Sequence, residues 1–183
     1  MRHILIAAAV LVLSACSSPE AAVTGPANAA TAEAQTPEAF VRSLYSVEAG
    51  GTGEVELPAY DGDLEIVSSA RTAALFAEAK ALTPPGYIGY PEGHPLVEYE
   101  EFGSLRLDDV VTTRHGPDRA DVALVLAFTR PDTRVNRVFK LVKEEGRWRL
   151  DDMLFGGEQP GLVEGFNSFI ADVKADPDAW GRE

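Results

Sequence analysis

Apolar residues change their spacing four times along this chain, and each change marks a different kind of element. Ile4 to Leu13 is an uninterrupted apolar run, shorter than the roughly 20 residues a membrane-spanning helix needs. Ser17 to Gln35 then holds almost nothing but Ser, Ala, Pro, Thr, Gly and Glu, with no hydrophobe larger than Val23. From Thr36-Pro37-Glu38 the period becomes helical: a capping hydroxyl, a proline at the first helical position and an acid in the first turn start a helix. Its face is Phe40, Leu44 and Val47, flanked by Val41 and Tyr45, and Gly50-Gly51 stops it. Gly50 to Asp63 reads as a loop. A second helix follows Ser68-Ser69, with Leu75, Phe76, Ala79 and Leu82 on one side, and Pro84-Pro85 ends it.

After the irregular segment Gly86 to Gly93 the period drops to two, which predicts strands at about Phe102 to Arg114, Ala120 to Arg130, Arg134 to Lys143 and Arg147 to Leu154. Their connections, His115-Gly116-Pro117-Asp118, Pro131-Asp132-Thr133 and Glu144-Glu145-Gly146, are short enough to require antiparallel hairpins. Val122, Leu124, Leu126 and Phe128 share one face, as do Phe139 with Leu141 and Trp148 with Leu150; these faces build the core against the helices. Leu162, Phe166, Phe169, Ile170 and Val173 return to helical spacing after Pro160-Gly161. The expected domain, residues 36–183, is α+β: helices first, then an antiparallel meander, then an extra C-terminal helix.

The opening apolar run ends in Leu13-Ser14-Ala15-Cys16, which has the form of a bacterial lipobox behind a positive start at Arg2. Residues 1–15 are therefore expected to be a lipoprotein signal peptide, cut between Ala15 and Cys16, with Cys16 as the lipid-bearing first residue. Residues 16–35 lack the apolar content to order themselves and read as a flexible tether about 25 Å long root-mean-square. Ser17 stands where an Asp would mark inner-membrane retention, so the expected address is the outer membrane, facing the periplasm.

Cys16 is the chain's one cysteine, which excludes an internal disulfide and, once lipidated, any thiol chemistry. The formal net charge of −13 becomes −14 when Arg2 is cleaved off. Such a field repels nucleic-acid phosphates and anionic headgroups, so the membrane is met through the anchor and nucleic acid is not an expected partner.

The hairpin Leu141-Val142-Lys143-Glu144-Glu145-Gly146-Arg147-Trp148-Arg149-Leu150 and the opening helix with Pro37, Phe40, Val41, Leu44 and Tyr45 resemble the nuclear transport factor 2-like superfamily, in particular an uncharacterised bacterial lipoprotein branch of it. The resemblance spans about Pro37 to Leu154. It implies a curved antiparallel sheet wrapped around helices to leave a cystatin-like cone, which some members use for catalysis and many only for binding. It carries no catalytic residue onto this chain, and the C-terminal helix extends past the usual end of that fold.

Candidate chemistry is sparse. Tyr87, Tyr90, His94 and Glu98, with Tyr99 beside them, are placed to line a pocket mouth, the alternative being tyrosines packed on the sheet edge with His94 facing water. His115 sits in a turn. Asp61-Gly62-Asp63-Leu64-Glu65 begins like a calcium loop, but Ile66 and Thr72 stand where the glycine and the final glutamate belong, which excludes an EF-hand. With His3 in the expected signal peptide, two separated histidines and no free thiol remain, which argues against zinc. The acid pairs Asp108-Asp109 and Asp151-Asp152 lie on strands, where neighbours point to opposite faces, so one member of each at most can enter a pocket, and Asp151 or Asp152 at a strand end is expected to be solvated or to cap a helix. Nucleophile elbows, phosphate loops and dinucleotide fingerprints are missing, and no cofactor or metal is called for.

The expected function is that of a membrane-anchored envelope lipoprotein that binds an envelope protein or small ligand without turning it over. The alternatives are a small isomerase or dehydratase using an acid or His94 in the cone, and an inhibitor offering its acidic face to a basic protein.

Overall fold

The computed structural model describes residues 36–45, 64–91, 95–97 and 104–176, all within one compact unit bounded by Thr31 and Glu183. Ala15, Cys16, the tether, the Gly50 to Asp63 loop, His94, Glu98 and Tyr99 lie outside the described residues. The protein is α+β. Helix α1 (Pro37–Ser43) is followed by a single turn of 3-10 helix at Leu64–Val67 and by α2 (Ala70–Leu82); four strands, β1 (Leu105–Arg114), β2 (Arg119–Thr129), β3 (Asp132–Glu144) and β4 (Arg147–Leu154), come next, and α3 (Leu162–Ala175) closes the described chain. The strands pair antiparallel in the order β1-β2-β3-β4 as one open sheet.

Both early helices start on the signals in their sequence. Thr36 accepts the Ala39 N–H on Oγ1 at 3.1 Å with Pro37 at the first helical position, and Ser69 accepts the Thr72 N–H at 3.3 Å. Helix α1 is shorter than its hydrophobic spacing predicts. It ends at Ser43 because Leu44 and Tyr45 tighten into a turn bonded back to Val41 and Arg42. This turn drives Leu44 and Tyr45 straight into the core, where both are buried. The 3-10 turn at Leu64–Val67 has no periodic signature in the sequence; Ser68 ties it down by donating its hydroxyl to the Leu64 carbonyl at 2.8 Å.

Alternation assigns the sheet faces correctly. Val122 pairs with Phe139 and Phe128 with Leu105, while Leu141 pairs with Leu150, so Val122, Leu124, Leu126, Phe128, Phe139, Leu141, Trp148 and Leu150 are all buried. Val41, Leu44, Tyr45, Leu96 and Met153 complete this layer. The β3–β4 turn puts Glu145 and Gly146 at φ 50° and 80°, the left-handed pair that matches strand twist in a two-residue hairpin. Strand β3 begins at Asp132, two residues earlier than alternation predicts, because Arg130-Pro131 alone makes the β2–β3 turn.

One inference from alternation fails. Between Asp108 and Val111 the β1–β2 register shifts, with Asp109 at φ 51°, and this bulge breaks the period of two. Asp108 and Asp109 consequently both reach one side chain, Arg134, at 2.7 and 3.3 Å, instead of facing opposite ways. Arg106 also grips Asp108 through two bonds of 2.6 and 2.9 Å. These bonds, Arg106 first and Arg134 after it, outweigh the partial desolvation of Asp108 and hold its carboxyl down to about 2.

Candidate functional site

The described residue of the Tyr87-to-Glu98 group with the most developed surroundings is Tyr90, and its setting is built by α2, α3 and the segment between Thr83 and Pro91. After α2 ends at its C-cap Thr83, the chain turns through Pro84 and Tyr87, whose N–H bonds to the Pro84 carbonyl at 3.2 Å. It then folds back along the helix. Gly89 makes that return possible, since a Cβ there would run into the Thr83 hydroxyl, itself bonded to the Ala79 carbonyl at 2.9 Å. Tyr90 lands on α3, not on the sheet edge that the alternative reading gave it. Its ring meets Phe166 edge-on at 5.0 Å and stacks with Phe169 at 6.3 Å; Phe166 in turn meets Phe76 of α2 at 4.5 Å. Gly165 is required by the same contact, because a Cβ on it would overlap the Tyr90 phenol.

Phe76 and Tyr90 of this stack line a cleft of about 220 Å³ together with Glu65, Lys80, Thr83, Ile88, Gly89 and Pro91. Its surface is divided between apolar and polar groups, and the two charged groups are of opposite sign. Tyr87 lies outside the lining and is half exposed, and Ile88 is 75% exposed, so the apolar surface continues onto the rim. The Tyr90 hydroxyl is harder to ionise than a free phenol: burial raises it first, and the negative charge of Asp152 raises it further. It is a hydrogen-bonding group here, not a base.

A second depression, about 380 Å³, opens at the other end of α2 between Ile66, Ser68, Ala70, Glu144, Glu145 and Arg149. Two of its charged groups, Glu144 and Arg149, are already engaged in holding the fold. Glu144 accepts the Ala70 N–H at 3.0 Å, and Arg149 donates to the Ile66 carbonyl at 2.9 Å. Beside it, Asp151 accepts from the Ser69 hydroxyl at 2.8 Å and from Arg71 at 2.9 and 3.2 Å. Asp152, its neighbour, turns to α3, accepting the Val163 N–H at 3.1 Å and pairing with Lys140 at 3.3 Å. The pair thus serves both helices, Asp152 in the helix-capping role the sequence allows and Asp151 through the Ser69 side chain. His115 sits in the β1–β2 turn, pairs with Asp121 at 2.9 Å and lines neither cleft.

The space between α1 and the sheet is closed. Tyr45 is wholly buried, donates to the Leu96 carbonyl at 2.9 Å and meets Phe139 edge-on at 6.2 Å; burial pushes its phenol well up, against an opposing pull from Arg137. Arg137 is the charged residue of this layer, buried with its guanidinium 5.1 Å from the Phe155 ring. Among the described residues no three His, Cys, Asp or Glu side chains gather where a metal ion could be held, and no helix is long and apolar enough to cross a membrane.

The chain is similar to the uncharacterised protein YqhG of Escherichia coli (strain K12), 30% identical over 123 residues that make up 66% of this chain. It spans 39% of the length of that relative. No known protein family and no solved structure matches it.

Proposed function

We propose that this chain is a bacterial envelope lipoprotein, anchored through Cys16 and probing its surroundings on a tether, whose domain binds a ligand or partner without chemical turnover. The anchoring half of the reading rests on the Leu13-Ser14-Ala15-Cys16 motif and the low-complexity stretch behind it. The binding half rests on one structural observation: the layer between the first helix and the sheet is filled by Val41, Leu44, Tyr45, Leu126, Phe139 and Leu150, all at 3% exposure or less. In a cone of the nuclear transport factor 2-like kind, to which we assign the fold on the residues of α1 and the β3–β4 hairpin, that layer is where a catalytic pocket would open. A filled layer directs recognition to the surface. The cleft at Tyr90 brings apolar surface together with two charged groups of opposite sign, so Tyr90 stays in the candidate site with Lys80 and Glu65 joined to it. Tyr87 is on the rim, and His94 and Glu98 follow closely in sequence.

The address is tested by growing cells with a clickable fatty acid and separating their membranes. The wild-type chain is expected to carry the label and sediment with the outer membrane, and Cys16→Ala to lose both. An unlabelled wild-type chain in the soluble fraction would overturn the anchoring.

A further inference from the structure

We propose that the end of the sheet carrying the β1–β2 and β3–β4 turns docks on anionic phospholipid and so sets which way the domain faces on its tether. The choice of a membrane rests on the anchored-lipoprotein reading above; the charge pattern does not.

A net charge of −13 argues against such a contact only if charge is spread evenly, and the strand register shows that it is not. Residues 114–120 and 141–150 make up this end, and they hold five bases, Arg114, Arg119, Lys143, Arg147 and Arg149, against the three acids Asp118, Glu144 and Glu145. The two turns are tied together by the Lys143 N–H, which donates to the Asp118 carbonyl at 2.8 Å. Arg119 and Arg149 share the face turned away from the core, with Val142 between them, and Arg147 follows on the same face opposite Glu144. Arg114 lies on the other face, its guanidinium 5.9 Å from the Trp148 ring. Cations thus surround the end of the sheet.

Ion pairing sets the group apart. Arg42, Arg71, Arg106, Arg134, Lys140 and Lys174 each meet a carboxylate within 3.3 Å, whereas among the described residues none of the five enters an ion pair. Lys80 and Arg130 share that state but lie apart from this end. Of the acids here, Glu144 is turned to the Ala70 N–H at the start of α2. The cations are therefore the charges left for a partner.

Two features fit that partner to a lipid surface. Of the five, Arg149 alone lines either of the clefts described above, so the group suits an extended anionic surface better than a small anion. Ile66 stands beside it, 69% exposed, its carbonyl accepting from Arg149 at 2.9 Å. An exposed aliphatic side chain among cations matches the boundary between headgroups and acyl chains. A basic residue at an anionic surface is worth about fivefold in affinity, so an excess of two gives about 25-fold. That suffices for a domain already held at the surface by a tether of about 25 Å. Acids farther off than the Debye length of about 8 Å in physiological salt are largely screened, and the repulsion that remains turns this end toward the membrane.

The test sediments the mature chain, residues 16–183 with Cys16→Ala so that no lipid contributes, with vesicles of phosphatidylcholine alone or with one-third phosphatidylglycerol. Binding is expected to be about 25-fold tighter to the phosphatidylglycerol vesicles in about 0.1 M salt, and to be lost in about 1 M salt. Arg119→Gln/Arg147→Gln should lose about that factor. Lys80→Gln/Arg130→Gln makes the same change in net charge elsewhere and should bind like the parent chain. All four side chains are exposed and enter no described ion pair, so both variants are expected to keep the parent melting temperature. No preference for phosphatidylglycerol, or an equal loss in the two double variants, overturns the proposal. Binding to poly-L-glutamate with none to the vesicles also overturns it and assigns this end to an acidic protein. None of these readouts involves lipid on Cys16, so failure here is separable from failure of fatty-acid labelling.

Discussion

Asp152→Ala is expected to loosen α3, and the structure says by how much. Helix α3 starts at Gly161, which has no side chain to cap with. A Cβ there would sit 2.9 Å from a Leu154 methyl and 3.4 Å from both the Asp152 carboxylate and the Met153 carbonyl, so only the movable end of the Leu154 side chain would have to give way. The cap is instead supplied from the sheet. Asp152 Oδ1 accepts the Val163 N–H at 3.1 Å and the Met153 N–H at 2.9 Å, while Oδ2 pairs with Lys140 at 3.3 Å, and the side chain is 14% exposed. Loss of a helix cap costs about 1 kcal/mol, and loss of a second charge-assisted bond to a mostly buried acceptor adds about 1 kcal/mol after discounting for the half-exposed lysine. The expected cost is about 2 kcal/mol, or a fall in Tm of about 5–8 °C for a domain of this size. Urea unfolding followed by the fluorescence of buried Trp148 reads it directly. Asp152→Asn should recover about half, since its amide oxygen still accepts from Val163 but has no charge for Lys140. Asp152→Ala within about 0.5 kcal/mol of wild type would refute the reasoning.

Other outcomes follow from the same geometry. Because Asp108 is held down to about 2 when folded, against an ordinary aspartate near 4, its carboxylate stabilises the protein fully above pH 4 and progressively less as pH falls toward 2. Asp108→Asn should therefore be less stable than wild type at pH 7, with the gap closing toward pH 2 in acid-titrated melts. Gly165→Ala should cost about 1–2 kcal/mol in thermal melts despite better helix propensity, because its methyl collides with Tyr90; the double variant Tyr90→Ala/Gly165→Ala should be more stable than Tyr90→Ala alone. Asp151→Ala frees the start of α2 from β4 and should cost about 1–2 kcal/mol by urea unfolding, most of it from the Ser69 hydrogen bond, since Arg71 is largely exposed.

Much of the fold is written in short-range patterns. Period two assigned Val122, Leu124, Leu126 and Phe128 of β2 to the inward face, and the capping residues Thr36 and Ser69 marked their helices, because these signals act between residues close in sequence. What escaped is set by distant partners. The bulge at Asp109 exists to satisfy an ion cluster whose far member, Arg134, is on another strand, and nothing in Leu-Asp-Asp-Val announces it. Leu44 and Tyr45 leave the helix early because burial in the core rewards the turn more than another helical bond. At the candidate site, Tyr90 was visible as an aromatic in an irregular segment. Lys80 and Glu65 were not, since they reach the cleft from α2 and from a 3-10 turn with no periodic trace. The small residues Gly89 and Gly165 were the available hint, as each marks a close approach that shapes the cleft.

The claim on which the account turns is that the layer between the first helix and the sheet is closed, leaving recognition to the surface. Met153 reports on it cleanly. It is one of two methionines in the chain, the other being the initiator, and it lies wholly buried on the inner face opposite Phe139. Peroxide treatment of the native protein followed by mass spectrometry is expected to leave Met153 unoxidised until denaturant unfolds the domain. Rapid oxidation of Met153 in the folded state would mean an open, solvent-filled interior, and would return the catalytic reading of the cone to first place.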